Sequence, residues 1–316
     1  MNTKYGPLFS IEHKDSYNEH YLKAGIPIAG LCFNNRFAWN VDRFYQFSLV
    51  EDCACLYSEG EENLVSPHLL FPLGDLTPQK LERIVDFYSP AFEERGDPLK
   101  IIYIPSDYVH MFRDLPGYRT EEIHRPDFDE YVYDAQSLRT FSGKALHSKK
   151  SQLNKFFREC SGCRYDALTK EDEEDCLTLV ENWCKDRGYE KEDLQYSDYL
   201  PIKTIFRNMD QLSIHGGTIH LFNKLVAFSI GSDILDGTAF IHFEKADHTI
   251  AGTNVAIISS VLENEYPSAK YVNREEDMGI EGLRIAKQSY NPVLMTEKHD
   301  ILLTREPSSK GKERHP

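Results

Sequence analysis

GGTIHLFNKLVAFSIG, residues 216–231, is the stretch that decides the fold, because two apolar runs in it flank the polar pair Asn223 and Lys224. This pattern predicts a β-hairpin with strands at 218–222 and 225–230. A strand is also predicted at 238–244, where β-branched and aromatic residues are frequent, and a helix is predicted at 252–266. A hairpin, a strand and a helix therefore follow one another in the second half of the chain.

The elements on either side of the hairpin extend this order. A strand at 164–168 and helices at 171–187 and 200–209 precede it, and a strand at 270–273, a helix at 281–289 and a closing strand at 294–303 follow. This is the order of a GNAT-type acyltransferase fold, and the first half of the chain shows a looser version of it. We therefore predict an α/β fold of two tandem GNAT-like lobes, each a mixed, mostly antiparallel sheet flanked by helices.

The predicted lobes are residues 1–143 and residues 144–316, and a bridging helix at 144–160 begins the second lobe. A chain of 316 residues is long enough for two such units, and its 41% apolar content excludes a disordered protein. The net charge of −15 argues against broad, non-specific binding to nucleic acid or to anionic membranes.

The sequence also bears on compartment and metals. The N-terminus lacks the apolar core of a secretory signal, and no apolar run of 18 residues occurs, so we expect a cytoplasmic protein with no integral membrane segment. Cys160 and Cys163 form an isolated Cys-x-x-Cys pair, and the histidines show no ligand spacing. We therefore expect reduced thiols and no metal site.

The segment KYVNREEDMGIEGLRIAKQSY, residues 270–290, concentrates charges of both signs around Gly279 and Gly282. Such charges are costly to bury unless each has a partner. The segment is therefore either a solvated loop, with Asp277 favourably placed near a helix start, or a polar cluster that lines a cleft between the lobes. In the cluster, Glu275 or Glu276 would deprotonate an acceptor amine and Arg274 would hold an anionic group.

Two further segments bear on a donor. The helix at 144–158 carries six basic residues and is either a bridging helix with a solvated face or a phosphate-binding element in which Lys149 and Lys150 guide a polyanionic donor. The loop that follows Glu244 and Lys245 supplies a single glycine, at position 252, before the next helix. This is a poor cradle for the pyrophosphate of coenzyme A and favours a different donor.

Several long motifs resemble a known family. FNNRFAWN (33–40), FDEYVYDAQSLRTFSGKALHSKKSQLNKF (128–156), AFIHFEKAD (239–247) and YVNREEDMGIEGLRIAKQSYNPV (271–293) are similar to bacterial proteins related to the C-terminal domain of phosphatidylglycerol lysyltransferases. In that group two GNAT-like lobes are fused, as they are in the Fem-type transferases that add amino acids to peptidoglycan. The resemblance implies aminoacyl transfer from an activated donor, aminoacyl-tRNA, to an amine or hydroxyl of a small molecule or lipid headgroup.

The charged segments described above supply the candidate site residues. Glu275, Glu276 and Arg274 are the predicted catalytic residues. The predicted substrate-binding residues are Arg284, Lys287, Tyr290, Asp277, Glu244, Lys245, Lys149, Lys150 and Asn154.

The chain departs from the family pattern at two positions and in one region. Lys150 replaces an arginine of the family's basic helix and keeps the charge without the bidentate fork, and Gln152 replaces a histidine. Within these 316 residues we expect no counterpart of the membrane-embedded half of the lysyltransferases. Two alternatives therefore stay open, an acyl-CoA-dependent N-acyltransferase and a non-catalytic binding module on the same fold.

Overall fold

The computed structural model describes residues 4–41, 43–60, 65–188 and 197–307. The chain forms two compact units, the first from Met1–Ile26, Asp42–Pro126 and Glu297–Pro316, and the second from Pro27–Val41 and Asp127–Thr296. One seven-stranded sheet flanked by helices forms the framework of each unit. The prediction of an α/β fold with tandem GNAT-like lobes is confirmed.

The first unit contains a sheet in the order β1-β2-β3-β5-β14-β6, with β4 paired to β2. Strands β3 and β5 run parallel, whereas the other pairs are antiparallel. Its strands are β1 Gln46–Val50, β2 Cys53–Ser58, β3 His68–Leu70, β4 Leu73–Gly74, β5 Leu99–Pro105, β6 Tyr118–His124 and β14 Lys298–Arg305. Its helices are α1 Lys14–Ala24, α3 Pro78–Glu93 and α4 His110–Arg113.

The second unit contains a sheet in the order β13-β7-β12-β11-β10-β9-β8, in which β11 and β12 run parallel. Its strands are β7 Glu130–Asp134, β8 Cys163–Ala167, β9 Ile214–Leu221, β10 Lys224–Leu235, β11 Thr238–Ala246, β12 Tyr271–Asn273 and β13 Leu294–Thr296. Its helices are α2 Phe33–Ala38, α5 Ala135–Thr140, α6 His147–Glu159, α7 Glu173–Lys185, α8 Tyr199–Arg207, α9 Thr253–Asn264 and α10 Glu281–Gln288.

The core of the second unit forms where α9 packs on the sheet. Val255, Ile258 and Val261 of this helix are buried with Ile219 of β9 and Ile241 of β11. Burial of such side chains stabilises the fold by roughly 1.5–3 kcal/mol each. The hairpin predicted from residues 216–231 is present as β9 and β10. Strand β11 pairs with β10, and β12 pairs with β11.

Strand pairing divides the chain differently from the predicted ranges 1–143 and 144–316. β7 pairs with β12 and β13 in the second sheet, and β14 lies between β5 and β6 in the first. The closing strand predicted at 294–303 is thus two strands, β13 and β14, that belong to different sheets. Local periodicity identifies a strand, but the partner that satisfies its backbone N–H and C=O groups is set by tertiary contacts.

Candidate active site

A tight turn between β12 and α10 carries the predicted catalytic residues. Glu275 and Met278 have positive φ angles of 59° and 54°, and Gly279 has φ 76°. The backbone N–H of Glu275 donates to Asn273 Oδ1 at 2.9 Å, and its carbonyl accepts from the N–H of Tyr131 at 3.1 Å. A non-glycine residue keeps this conformation only where its surroundings hold it, and such positions cluster at functional sites.

The Glu275 carboxylate is held by two donors from distant parts of the chain. Asn35 Nδ2 donates to Oε1 at 2.7 Å, and His242 Nδ1 lies 2.8 Å from the same oxygen. The His242 side chain is fully buried, whereas 20% of the Glu275 side chain is exposed. Neither hydrogen bond uses Oε2, so the carboxylate is oriented through one oxygen and keeps a second for another partner.

His242 also belongs to a buried hydrogen-bond network in the second unit. His242 Nε2 lies 2.7 Å from Ser232 Oγ, which also accepts from Asn34 Nδ2 at 2.9 Å and from Cys32 Sγ at 3.4 Å. In the imidazolium form both ring nitrogens donate, Nδ1 to Glu275 and Nε2 to the Ser232 hydroxyl oxygen, so that each nitrogen has a partner. This hydrogen-bond network therefore links the buried thiol of Cys32 to the partly exposed carboxylate of Glu275.

This environment shifts the pKa of both members of the Glu275–His242 pair upward. Burial raises the pKa of Glu275, and the hydrogen bond and charge of His242 oppose the rise. Burial lowers the pKa of His242, but hydrogen bonds with Cys32 and Glu275 outweigh it and raise that pKa to about 9. A proton is therefore retained within the pair at neutral pH, which is the property required of a proton-transfer site.

Arg274 and Glu244 form a nearly buried ion pair in the same unit. Arg274 Nη2 donates to Glu244 Oε1 at 2.7 Å, and 13% of each side chain is exposed. The guanidinium lies over the ring of Tyr290, 4.6 Å from its centroid. Arg274 Nη1 and Glu244 Oε2 are buried and have no hydrogen-bond partner among the described residues. Because unsatisfied buried polar atoms are costly, a bound polar ligand would stabilise this pair.

Strand β11 supplies a side-chain partner to both Arg274 and Glu275. His242 and Glu244 are two residues apart on it, so their side chains project from the same face of the sheet. Phe240 of β11 is aligned with Asn273 of the neighbouring parallel strand β12, whose continuation carries Arg274 and Glu275. His242 therefore meets Glu275, and Glu244 meets Arg274.

Lys287 and Lys149 also lie in this cluster. Lys287 Nζ donates to the carbonyl oxygens of Arg274 and Glu275, to the latter at 3.0 Å, and burial, followed by the charge of Arg274, lowers its pKa to about 8. Lys149 Nζ lies 3.9 Å from the centroid of the Tyr290 ring, and burial lowers its pKa. Lys287 thus fixes the backbone of the turn, whereas Lys149 lies beside Tyr290.

Arg284 and Asp277 form a separate network that fixes the turn. Arg284 donates to both oxygens of Asp277 at 2.9 Å and to Asp127 Oδ1 at 2.6 Å. Tyr131 OH donates to Asp277 Oδ2 at 2.6 Å, and the N–H of Gly279 donates to Oδ1 at 2.9 Å. The hydrogen bonds from Arg284 lower the pKa of Asp277 to about 2. Asp277 is therefore committed to structure, and no side chain caps α10, whose N-cap residue is Ile280.

Three other predicted residues lie apart from these contacts. Lys245 Nζ pairs with Asp198 and lies 4.2 Å from the centroid of the Trp183 ring. On α6, Lys150 is half-buried and Asn154 is exposed. The remaining predicted acid, Glu276, is half-buried beside Glu275.

Sequence reasoning did not identify the partners of Glu275. The motif FNNRFAWN contains Asn34 and Asn35, and its paired asparagines within an apolar helix were the available signal, because buried amides need partners. His242 occupies the middle of a strand whose neighbours Ile241 and Phe243 are buried, and a polar residue there signals a buried hydrogen-bond network.

The first unit contains two other features of interest. A cavity of 470 Å³ is lined by Glu93, Tyr118 and Arg305 among others, and no predicted site residue lines it. One group of three side chains in the described ranges could hold a metal ion, His124, Glu297 and His299. Across those ranges, no helix combines the length and apolar character needed to cross a bilayer.

A family model for the C-terminal region of phosphatidylglycerol lysyltransferase matches residues 28–299. A Mycoplasmoides gallisepticum protein, MYCGA3080, is 25% identical over 211 residues, which cover 65% of this chain and 66%, just under two thirds, of that protein.

Three solved structures share the fold. A conserved Bacteroides thetaiotaomicron protein of unknown function has a TM-score of 0.84 at 24% identity, covering 94% of this chain and 99% of that one. The C-terminal domain of a protein assigned as a lysylphosphatidylglycerol synthetase, from Agrobacterium fabrum, has a TM-score of 0.64 at 12% identity, covering 92% and 90%. FemX has a TM-score of 0.61 at 9% identity, covering 92% and 96%.

Proposed function

This chain belongs to the family of phosphatidylglycerol lysyltransferase C-terminal domains, and we propose that it transfers an aminoacyl group from an activated donor to an amine or hydroxyl acceptor. The proposed donor is aminoacyl-tRNA, and the proposed acceptor is a small molecule or a lipid headgroup. The observation that carries the proposal is the Glu275 carboxylate, which is partly exposed, oriented by Asn35 and His242, and raised in pKa by burial.

In the proposed reaction Glu275 is the general base. The acceptor nitrogen or oxygen attacks the ester carbonyl carbon of the donor and forms the new bond, while Glu275 takes the proton of the acceptor. The bond between the carbonyl carbon and the donor oxygen then breaks, and the proton passes to that leaving oxygen. A base with a raised pKa suits this exchange, because it must give up the proton as readily as it takes it.

Arg274 is the proposed contact for negative charge. Its Nη1 is buried without a partner among the described side chains, and its orientation is fixed by Glu244 and the Tyr290 ring. A preorganised cation of this kind stabilises an oxyanion, or binds a carboxylate or phosphate, without the cost of reorganisation. Lys149, beside the same ring, is the proposed contact for the phosphates of the donor.

The loop before α9 supports a donor other than acyl-CoA. The side chain of Asp247 accepts hydrogen bonds from the backbone N–H of Thr249 at 3.0 Å and from Lys224 Nζ at 2.8 Å. A backbone N–H of this loop is thus already used by the Asp247 carboxylate and is not available to the pyrophosphate of coenzyme A.

Thermal-shift measurements with coenzyme A, acetyl-CoA, uncharged tRNA and aminoacyl-tRNA would test the proposed donor. We expect stabilisation by tRNA, and loss of the aminoacyl label from charged tRNA when an amine acceptor is added. Stabilisation by acetyl-CoA alone would contradict the tRNA donor and support the acyl-CoA alternative. Failure of every donor to stabilise the protein would instead support a binding module.

A further inference from the structure

We propose a binding site for a divalent transition-metal ion of the zinc class in the first unit, formed by His124, Glu297 and His299. Their ligand atoms all lie within 4.8 Å of one another. Two imidazole nitrogens and one carboxylate oxygen are a ligand set that suits Zn²⁺ and leaves a fourth position for water or another group.

Strand geometry places the three side chains together. Glu297 immediately precedes β14 and His299 is the second residue of that strand, while Lys298 between them is buried and lies over the ring of Tyr103. His124, at the end of β6, is aligned directly opposite His299 on β14, and their rings stack with centroids 4.7 Å apart. One ligand just before β14, one on it and a third on β6 directly opposite His299 form a compact site.

His299 also has the outer partner that metal-binding histidines usually have. Glu122 Oε1 lies 3.1 Å from His299 Nδ1, on the side of the ring opposite the proposed ligand atom, Nε2. Nδ1 is buried, and the carboxylate lies outside hydrogen-bond geometry, so a small ring rotation would complete the bond. Glu122 itself is held by Arg113 at 2.9 Å. A carboxylate on Nδ1 keeps the proton there and leaves the lone pair of Nε2 for the metal.

Ser106 lies within the proposed site. Its hydroxyl oxygen is 2.9 Å from Glu297 Oε2 and 3.1 Å from His299 Nε2, so it bridges two of the ligand atoms. An entering metal ion would displace this hydroxyl or take it as a further oxygen ligand. The exposed side chains of His124 and Glu297 can rotate to shorten the ligand distances, whereas His299 is fixed by burial.

Zn²⁺ titration of the full chain by calorimetry, with matched thermal-shift measurements, would test this site. We expect one ion per chain, an increase in melting temperature of about 3–6 °C at an ion concentration about 100 times Kd, and little response to Mg²⁺ or Ca²⁺. His124→Ala and Glu297→Gln, both at exposed positions, should each weaken binding at least about 10-fold. Glu122→Gln should weaken it about 10- to 100-fold through the orientation of His299.

The control is His110→Ala, an exposed histidine of the same unit whose Nδ1 contacts the carbonyl of Asp107. It should leave Zn²⁺ affinity unchanged. Unchanged affinity in His124→Ala and Glu297→Gln would overturn the site, and so would equal binding of Mg²⁺. Because metal binding is measured without any acyl donor, failure here would not bear on the proposed transferase activity.

Discussion

Glu275 and Asp277 stand two residues apart on one turn, and their surroundings shift their pKa values in opposite directions. Glu275 is half-buried and accepts hydrogen bonds from Asn35 and His242, and its pKa is raised. Asp277 receives two hydrogen bonds from Arg284, and its pKa falls to about 2. A carboxylate that must exchange a proton cannot be neutralised by a bidentate arginine, whereas one that fixes a turn benefits from it. The comparison supports the proposal that Glu275 is the base, whereas Asp277 holds the turn in place.

Glu275→Gln should have the largest effect on activity. The amide keeps the shape of the side chain but cannot accept the proton, so we expect aminoacyl transfer to fall by about 10²- to 10⁴-fold. Single-turnover transfer and thermal unfolding should be measured together, with the exposed Glu281→Gln as the matched control. Transfer at the wild-type rate in Glu275→Gln would end the assignment of Glu275 as base.

Arg274→Ala should strongly destabilise the fold, because Glu244 would remain buried without its partner. We expect a loss of about 3–5 kcal/mol in the free energy of unfolding, measured in urea. Removing both charges in Arg274→Ala with Glu244→Ala should recover part of this loss. If the double variant is no more stable than the single one, the ion pair is not what stabilises this part of the unit.

His242→Asn should reduce the loss of folding stability that occurs as the pH rises into the alkaline range. The folded pKa of His242, about 9, lies above its ordinary value of about 6.5. Its stabilisation is therefore complete below about pH 6.5 and is lost as the pH rises through 9. We expect the wild type to lose about 1–3 kcal/mol more than the variant between pH 6 and pH 9.5 in urea unfolding. Parallel stability curves for the two proteins would contradict the shift.

Asp277→Asn should have the smallest effect, and on acid stability. The folded pKa lies below the ordinary value, so the stabilisation is present above about pH 4 and is lost as the pH falls towards 2. Because Arg284 is partly exposed, we expect about 1–2 kcal/mol at pH 7. Unfolding at pH 7 and pH 3 would measure it, and single-turnover transfer should stay within a few fold of the wild type. A loss of transfer as large as in Glu275→Gln would remove the distinction between the two carboxylates.

Local patterns predicted many elements but few contacts of the candidate site. Thr77 as N-cap and the apolar face with Leu81 and Ile84 are local signals for α3, and in the structure Thr77 accepts from the N–H of Lys80 at 3.3 Å. The hairpin at 216–231 could also be predicted from the sequence, because turn and strand signals are both local. Glu275 meets Asn35 across 240 residues of sequence, and no periodicity encodes such a distance. The positive φ of Glu275 also follows from tertiary contacts rather than from its own preference.

The sequence also could not show whether the charged side chains of residues 270–290 face solvent or pair with one another. Arg284 and Lys287 lie three apart on one helix, a spacing that predicts either joint binding of an anion or pairing with Glu281. In the structure Arg284 is bound to Asp277 and Asp127, and Lys287 is bound to backbone carbonyls of the turn. Spacing on a helix predicts which side chains neighbour one another, but the partner each finds depends on what the fold brings opposite.

The position of β14 between β5 and β6 has a consequence for biosynthesis. On the ribosome, β5 and β6 end at residues 105 and 124, whereas the strand that separates them begins only at residue 298, so during translation each presents an unpaired edge. Such edges invite aggregation or capture by chaperones until residues 298–305 arrive. A stop codon before this strand would therefore remove the interior of a sheet rather than trim an end.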